Sequence, residues 1–180
     1  NRLFSRGPAF VKFRTPGGSE LWVGVTHVKS KYGNSPAVTR WRIRELERTR
    51  EICGELAGED GGNMVVMLGD FNDSFGKDRI EKEVGADAVA TMVSGEGPEK
   101  MTCPSLAVSK ENPKLATYHC KIKPPTYRDF IDHIFLSRAA GRRHHKTYVI
   151  ADPVAVVASD HLPVVTVLRL PDKDARKDAE

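Results

Sequence analysis

Met64-Val65-Val66-Met67-Leu68 is an unbroken apolar run, and Gly69-Asp70-Phe71-Asn72-Asp73 follows it directly. A short apolar run between turn signals reads as a strand buried on both faces of a sheet. Ending that strand on a glycine, a carboxylate and a carboxamide puts polar chemistry at a sheet edge, where α/β proteins collect their sites. Asp70 and Asn72 suit an Asx turn closing a strand equally well.

Three further clusters have the same form. Thr26-His27 closes the β-prone residues 21–25, Ile131-Asp132-His133 lies inside the apolar run 130–136, and Ser159-Asp160-His161 stands just before the strand-like residues 163–170. His27 also reads as a satisfied half-buried histidine, and Asp160 as a cap or turn former. Asp132 is harder to explain blandly. It sits among Phe130, Ile131, Ile134 and Phe135, where a carboxylate is costly without a cationic or hydrogen-bonding partner. An imidazole qualifies. Strand alternation turns His133 to the opposite side, read here as surface.

Between these clusters, residues 9–14 and 20–28 read as a hairpin around Thr15-Pro16-Gly17-Gly18. Residues 37–56 read as one long helix with Val38, Trp41, Leu46, Ile52, Cys53 and Leu56 on its apolar stripe. Arg40, Arg44, Arg48, Arg50, Glu47, Glu51 and Glu55 read as its solvated faces. A short helix is predicted over 77–84 and a long loop over 95–125. Strands are predicted over 146–157, broken at Asp152-Pro153, and over 163–170. Elements mix without regular βαβ alternation, which suggests a layered α/β sandwich with much antiparallel sheet.

The order and wording of the clusters resemble the endonuclease/exonuclease/phosphatase superfamily, the deoxyribonuclease-I-like fold. Its strand-end His appears as Thr26-His27, its GDFN motif as Gly69-Asp70-Phe71-Asn72, its ID-hydrophobic motif as Ile131-Asp132-His133-Ile134-Phe135, and its SDHxP motif as Ser159-Asp160-His161-Leu162-Pro163. Ser5-Arg6-Gly7-Pro8 is similar to the opening of a preceding strand. The resemblance runs from about Ser5 to Leu170 and implies a four-layer α/β/β/α sandwich. The family's upstream strand-end Asn and metal-binding Glu have no counterpart, so residues 1–170 are expected to be the C-terminal two-thirds of the domain. Residues 171–180, with three basic and four acidic side chains, are expected to form a flexible tail.

The resemblance implies a metal-dependent phosphoesterase that hydrolyses phosphodiester bonds. Asp70 would orient or deprotonate the attacking water, and Asn72 would support Asp70 and reach the scissile phosphate. His161 would contact the phosphate with Asp132 behind it, His27 would be a second phosphate contact, and Asp160 would be a metal ligand or a carboxylate that supports one. The metal would be Mg²⁺ or Mn²⁺, because these donors are hard oxygens. Nucleic acid is the first substrate expectation. Inositol phosphates or sphingomyelin-like lipids are the second, and a non-catalytic binding module of the same fold is the alternative of another class. Substrate choice is expected on loops 29–36, 74–77, 95–125 and 138–146.

Composition agrees without deciding. The 180 residues include 28 Lys+Arg against 24 Asp+Glu, a net +4 that suits a polyanionic partner but is common among soluble proteins. The run Arg142-Arg143-His144-His145-Lys146 is either a nucleic-acid contact or a solvated hairpin tip. No apolar run reaches the ~20 residues of a membrane span. Trp22 and Trp41 read as core. Cys53, Cys103 and Cys120 form no CxxC pattern; Cys103 and Cys120 can pair, and three unpaired thiols is the favoured reading. The chain starts at Asn1, which leaves compartment open.

Overall fold

The computed structural model describes residues 3–33, 35–120 and 128–170. The tail 171–180 and the last part of the predicted loop, 121–125, lie outside the described residues. Strands β1 (Ala9–Arg14) and β2 (Glu20–His27) form the expected hairpin, paired from Ala9↔Val25 to Arg14↔Glu20. Helix α1 (Pro36–Ala57) opens on a Ser35 side chain that accepts from the Val38 N–H. Pro36 sits in the first turn, where no donor is needed, and Gly58 ends the helix at φ 78°.

β3 (Met64–Asp70) then runs parallel to β2. After α2 (Arg79–Val84) come two 3₁₀ turns, β4 (Met101–Thr102), α3 (Pro104–Glu111), β5 (Tyr118–His119) and β6 (Arg128–Asp129). The chain finishes with β7 (Asp132–Ser137), α4 (Arg138–Gly141), β8 (His144–Val149), α5 (Pro153–Ala158) and β9 (Val164–Leu168). The main sheet has the order β1-β2-β3-β7-β4, and β8–β9 and β5–β6 form two-stranded sheets.

Alternation along the strands builds two apolar layers. Phe10, Trp22, Val65, Met67 and Phe135 face Leu46, Cys53 and Ala57 of α1. Leu21, Met64, Val66, Ile134 and Leu136 face Val164 and Leu168 of β9, with Ala139 and Ala140 of α4. Helix, five-stranded sheet and smaller sheet therefore stack as an α/β sandwich. Val11, Phe13 and Val25 share the Leu21 side of the sheet and are 57%, 51% and 49% exposed, so β8–β9 does not cover the β1–β2 end.

Several expectations need correction. The predicted loop 95–125 contains β4, α3 and β5. Proline opens α3 at its first turn, a helix start that composition alone presents as a breaker. Asp152-Pro153 does not break a strand: Asp152 accepts from the Ala155 N–H and Pro153 begins α5. Helix α1 buries Arg42, Glu45 and Thr49 along with Leu46 and Cys53, whereas Val38, Trp41, Ile52 and Leu56 are only partly buried. Arg50, read as solvent-facing, folds over to Glu99 at 3.1 Å and to the Thr91 carbonyl at 3.0 Å. Trp41 lies at the rim, donating its indole N–H to the Leu3 carbonyl, and Trp22 is half-buried against the core. Among the described residues no disulfide joins Cys53, Cys103 or Cys120. No described helix is long and apolar enough to cross a membrane.

His133 is the clearest reversal. It does point away from Asp132, but that side is core, and His133 is 2% exposed. Its ring lies 5.8, 5.4 and 5.5 Å from those of Phe71, Phe75 and Phe130. Nε2 is 3.0 Å from the Asp73 carbonyl. Burial pushes its pKa down to about 4, so it is neutral at physiological pH. α3 and the turn after β3 cover this face, and long-range packing of that kind leaves no local signal.

Candidate active site

Sheet register assembles the site. His27 is the partner of Asp70 across β2–β3, and Asp70 is the partner of Asp132 across β3–β7. Three motifs distant in sequence thus end in one row. The fourth is pinned by β5: His161 bridges Tyr118, the Leu162 N–H donates to the Thr117 carbonyl at 2.7 Å, and the His119 N–H donates to the Asp160 carbonyl at 2.8 Å. The Ser159 hydroxyl accepts from the His161 N–H at 3.0 Å and fixes the turn locally.

Gly69 is dictated by this geometry. Its φ is 144°, and a Cβ there would stand 1.9 Å from the Thr26 carbonyl oxygen. No other residue lets β3 approach β2 so closely. The Phe71 side chain is fully buried and anchors the turn between Asp70 and Asn72. Asn72 adopts φ 52°, a left-handed conformation that asparagine tolerates better than most residues.

Asp70 Oδ1 accepts from the Asn72 N–H at 2.7 Å, and Oδ2 accepts from the Asn72 amide at 3.3 Å. The same amide donates to the Val28 carbonyl at 3.2 Å. Both of its hydrogens are therefore engaged. His27 Nε2 lies 3.4 Å from Asp70 Oδ2, and His27 Nδ1 lies 2.6 Å from an Arg6 guanidinium nitrogen. A guanidinium only donates, so Nδ1 accepts and the His27 proton resides on Nε2, facing Asp70.

His161 Nδ1 lies 3.0 and 3.1 Å from the two Asp132 oxygens. Nδ1 is the donor in that pair, which leaves Nε2 for the cleft. Burial pushes the Asp132 carboxyl above its usual range, against the pull of the Thr117 hydroxyl and His161, which favour the charged form. The Tyr118 ring lies 4.9 Å from the His161 ring.

One cleft of about 450 Å³ is lined by His27, Asp70, Asn72, Asp160 and His161, together with Lys31, Tyr32 and Tyr118. Asp132 stands behind His161. Lys31, Tyr32 and Tyr118 lie within the predicted loops 29–36 and 95–125, where substrate choice is expected, although the sequence singles out none of the three, and the role of Arg6 escapes the sequence reading. Arg6 stands in the noted Ser5-Arg6-Gly7-Pro8 stretch, but only the β1–β2 hairpin carries that stretch back to His27. Arg138 to Lys146 do not flank this cleft. They follow the far end of β7, six residues from Asp132, about 20 Å at strand spacing.

Asp160 and Asp70 are hard oxygen donors of the kind Mg²⁺ or Mn²⁺ takes. Among the described residues, however, no group of three or more His, Cys, Asp or Glu side chains is arranged to hold a metal ion. Asp70 already accepts from Asn72 through both oxygens. These residues do not make up a complete cation site.

No family model and no curated protein matches the chain. Solved structures do. TDP2 of D. rerio, complexed with a single-strand DNA product, is 18% identical over 88% of this chain and 60% of that chain, with a TM-score of 0.60. An endonuclease/exonuclease/phosphatase from Bacteroides vulgatus is 18% identical over 91% of this chain and 55% of its own, with a TM-score of 0.57. The Xenopus laevis APE2 catalytic domain is 16% identical over 89% and 54%, also at 0.57. The chain shares the fold of these structures, the deoxyribonuclease-I-like α/β sandwich. The chain spans 60% or less of the length of these structures.

Proposed function

We propose that the protein is a phosphodiesterase whose substrate is nucleic acid. The observation that carries this reading is convergence: four motifs spread from His27 to His161 line one cleft, with Asp132 paired to His161 at 3.0 Å. Turn-forming or capping residues have no reason to meet.

In-line hydrolysis needs an oriented water, a proton acceptor and charge stabilisation on the phosphate. Asp70, held at both oxygens by Asn72, accepts the proton of the attacking water. Asn72 acts through Asp70 as a positioning residue, since both amide hydrogens are already used. Protonated His161 presents Nε2–H to a phosphate oxygen, and Asp132 fixes its orientation and stabilises its charge. His27 offers Nε2–H between Asp70 and the phosphate, and exposed Arg6 adds positive charge beside it. Dependence on Mg²⁺ or Mn²⁺ belongs to this proposal through the family resemblance. With the donor set incomplete among the described residues, no step here is routed through the ion.

Two features favour a nucleic acid. Tyr32 is 91% exposed at the cleft wall beside Lys31, an open aromatic face for a base. One structural neighbour is described with single-strand DNA product. The reading is tested by hydrolysis assays with single- and double-stranded DNA, RNA, inositol phosphates and sphingomyelin, each with Mg²⁺ or Mn²⁺. Cleavage of an oligonucleotide is expected. Cleavage confined to the lipid or the inositol phosphates would reverse the substrate assignment.

A further inference from the structure

The cleft is not the largest depression at this end of the sheet. A cavity of about 620 Å³ opens on the other side of the segments that hold His161. The two share a wall. Ala116 and Phe130 line the second cavity, while Tyr118 and Ile131, on the same two segments, line the cleft. A strand pair is only ~5 Å across, so a chain threaded past His161 reaches the second cavity within a few nucleotides.

Its lining has two parts. Phe75, Leu106 and Phe130 supply an apolar floor, with Phe130 only 6% exposed. Lys110, Lys114 and Arg128 stand exposed around the mouth and make no ion pair among the described residues. The carboxylate in the lining, Asp129, accepts from the Phe130 N–H at 2.8 Å. An apolar floor under a cationic rim matches a planar base joined to a phosphate, and the volume lies within the roughly 300–1,000 Å³ range of small-ligand sites.

We propose that this cavity is a subsite for one nucleotide unit of a single-stranded nucleic acid, its base against Phe75, Leu106 and Phe130 and its phosphate among Lys110, Lys114 and Arg128. The assignment rests on the phosphodiesterase reading and names the part of the substrate strand remote from the scissile bond.

The test is fluorescence anisotropy of a labelled oligodeoxythymidylate, titrated with the protein in EDTA. The variant Lys110→Glu/Lys114→Glu/Arg128→Glu is compared with Arg138→Glu/Arg142→Glu/Arg143→Glu, which changes net charge equally at the far end of β7. All six side chains are exposed, and thermal melts confirm that both variants fold. The first variant is expected to weaken binding at least tenfold and to flatten the log Kd against log salt slope by about 0.7, the counterion release of one single-strand phosphate contact. The second is expected to stay within about threefold. Thymidine 5′-monophosphate is expected to bind at least tenfold more weakly than the strand. Equal loss in both variants, no loss in the first, or equal affinity for the monophosphate would overturn the subsite. Hydrolysis of a small aryl phosphodiester, which needs only the cleft, is measured alongside. Its absence would count against the catalytic reading, whereas intact hydrolysis with unchanged strand binding would count against the subsite alone.

Discussion

The Asp132 carboxylate meets His161 Nδ1 with both of its oxygens, at 3.0 and 3.1 Å, across 29 residues of sequence. The contact fixes which imidazole nitrogen faces the cleft. Asp132→Asn would place a neutral amide against Nδ1 and remove the negative charge that stabilises the His161 imidazolium. A fall in kcat of about 10²–10⁴-fold with little change in KM is expected, read from steady-state kinetics on an oligonucleotide. A change confined to KM would show that Asp132 serves binding instead.

The second expectation concerns the buried pair beneath the cleft. Arg42 and Asp73 are both fully buried, with Arg42 Nε 3.0 Å and Nη2 2.8 Å from Asp73 Oδ2. Lys31 also contacts Asp73, which ties the cleft wall to the core. Arg42→Met leaves the buried Asp73 carboxylate with Lys31 as its remaining cationic partner and should cost up to about 3–5 kcal/mol in urea unfolding. Replacing both partners, Arg42→Met/Asp73→Leu, should recover most of that loss. A double variant as unstable as the single would contradict this account of the pair.

The contribution of His133 to stability should fall as the solution is acidified. The His133 pKa is about 4 when folded against an ordinary 6.5, so the unfolded chain binds its proton first. The contribution is present above pH 6.5 and is lost as pH falls towards 4. It amounts to about 3 kcal/mol over that window. Asp73, pushed up to about 6 by burial, and Asp132, also raised by burial, work in the opposite direction over the same range. Unfolding of the wild type and of His133→Gln across this range isolates the histidine. The variant should show a shallower slope, and an identical slope would exclude His133 as the source.

Glycine positions give a local test. Gly69→Ala drives a methyl into the Thr26 carbonyl and should prevent the β2–β3 pairing, leaving little folded protein. Gly7→Ala meets nothing within 4 Å and should change stability by no more than about 0.5 kcal/mol. Circular dichroism melts of the two variants decide whether close strand approach explains Gly69.

The fold's backbone was legible where the pattern is local. β1, α1 and β3 follow from alternation, apolar residues at helical spacing and one apolar run. Asp132 announced itself as a carboxylate in an apolar strand, and its partner is the histidine expected. His133 misled because alternation tells sides apart but not which side α3 will cover. Arg42 and Glu45 misled because charged residues on a helix normally face water. Arg42 is buried against Asp73, and Glu45 because it accepts from the Ser5 and Lys29 N–H groups. The basic run 142–146 drew attention by composition, yet strand direction puts it at the wrong end of β7. Arg6 and Tyr32 acquire meaning only from the register that brings them to His27 and the cleft.

The central claim is that Asp70 and His161 act on one phosphate as a unit, and a double-mutant cycle on kcat tests it most directly. Asp70→Ala and His161→Ala are each expected to lower kcat for phosphodiester hydrolysis by about 10²–10⁴-fold, with the fold retained by circular dichroism. The double variant is expected to lose little more than the worse single, because groups that serve one transition state are not additive. Near-wild-type turnover in either single variant, or losses that multiply in the double, would contradict a shared site.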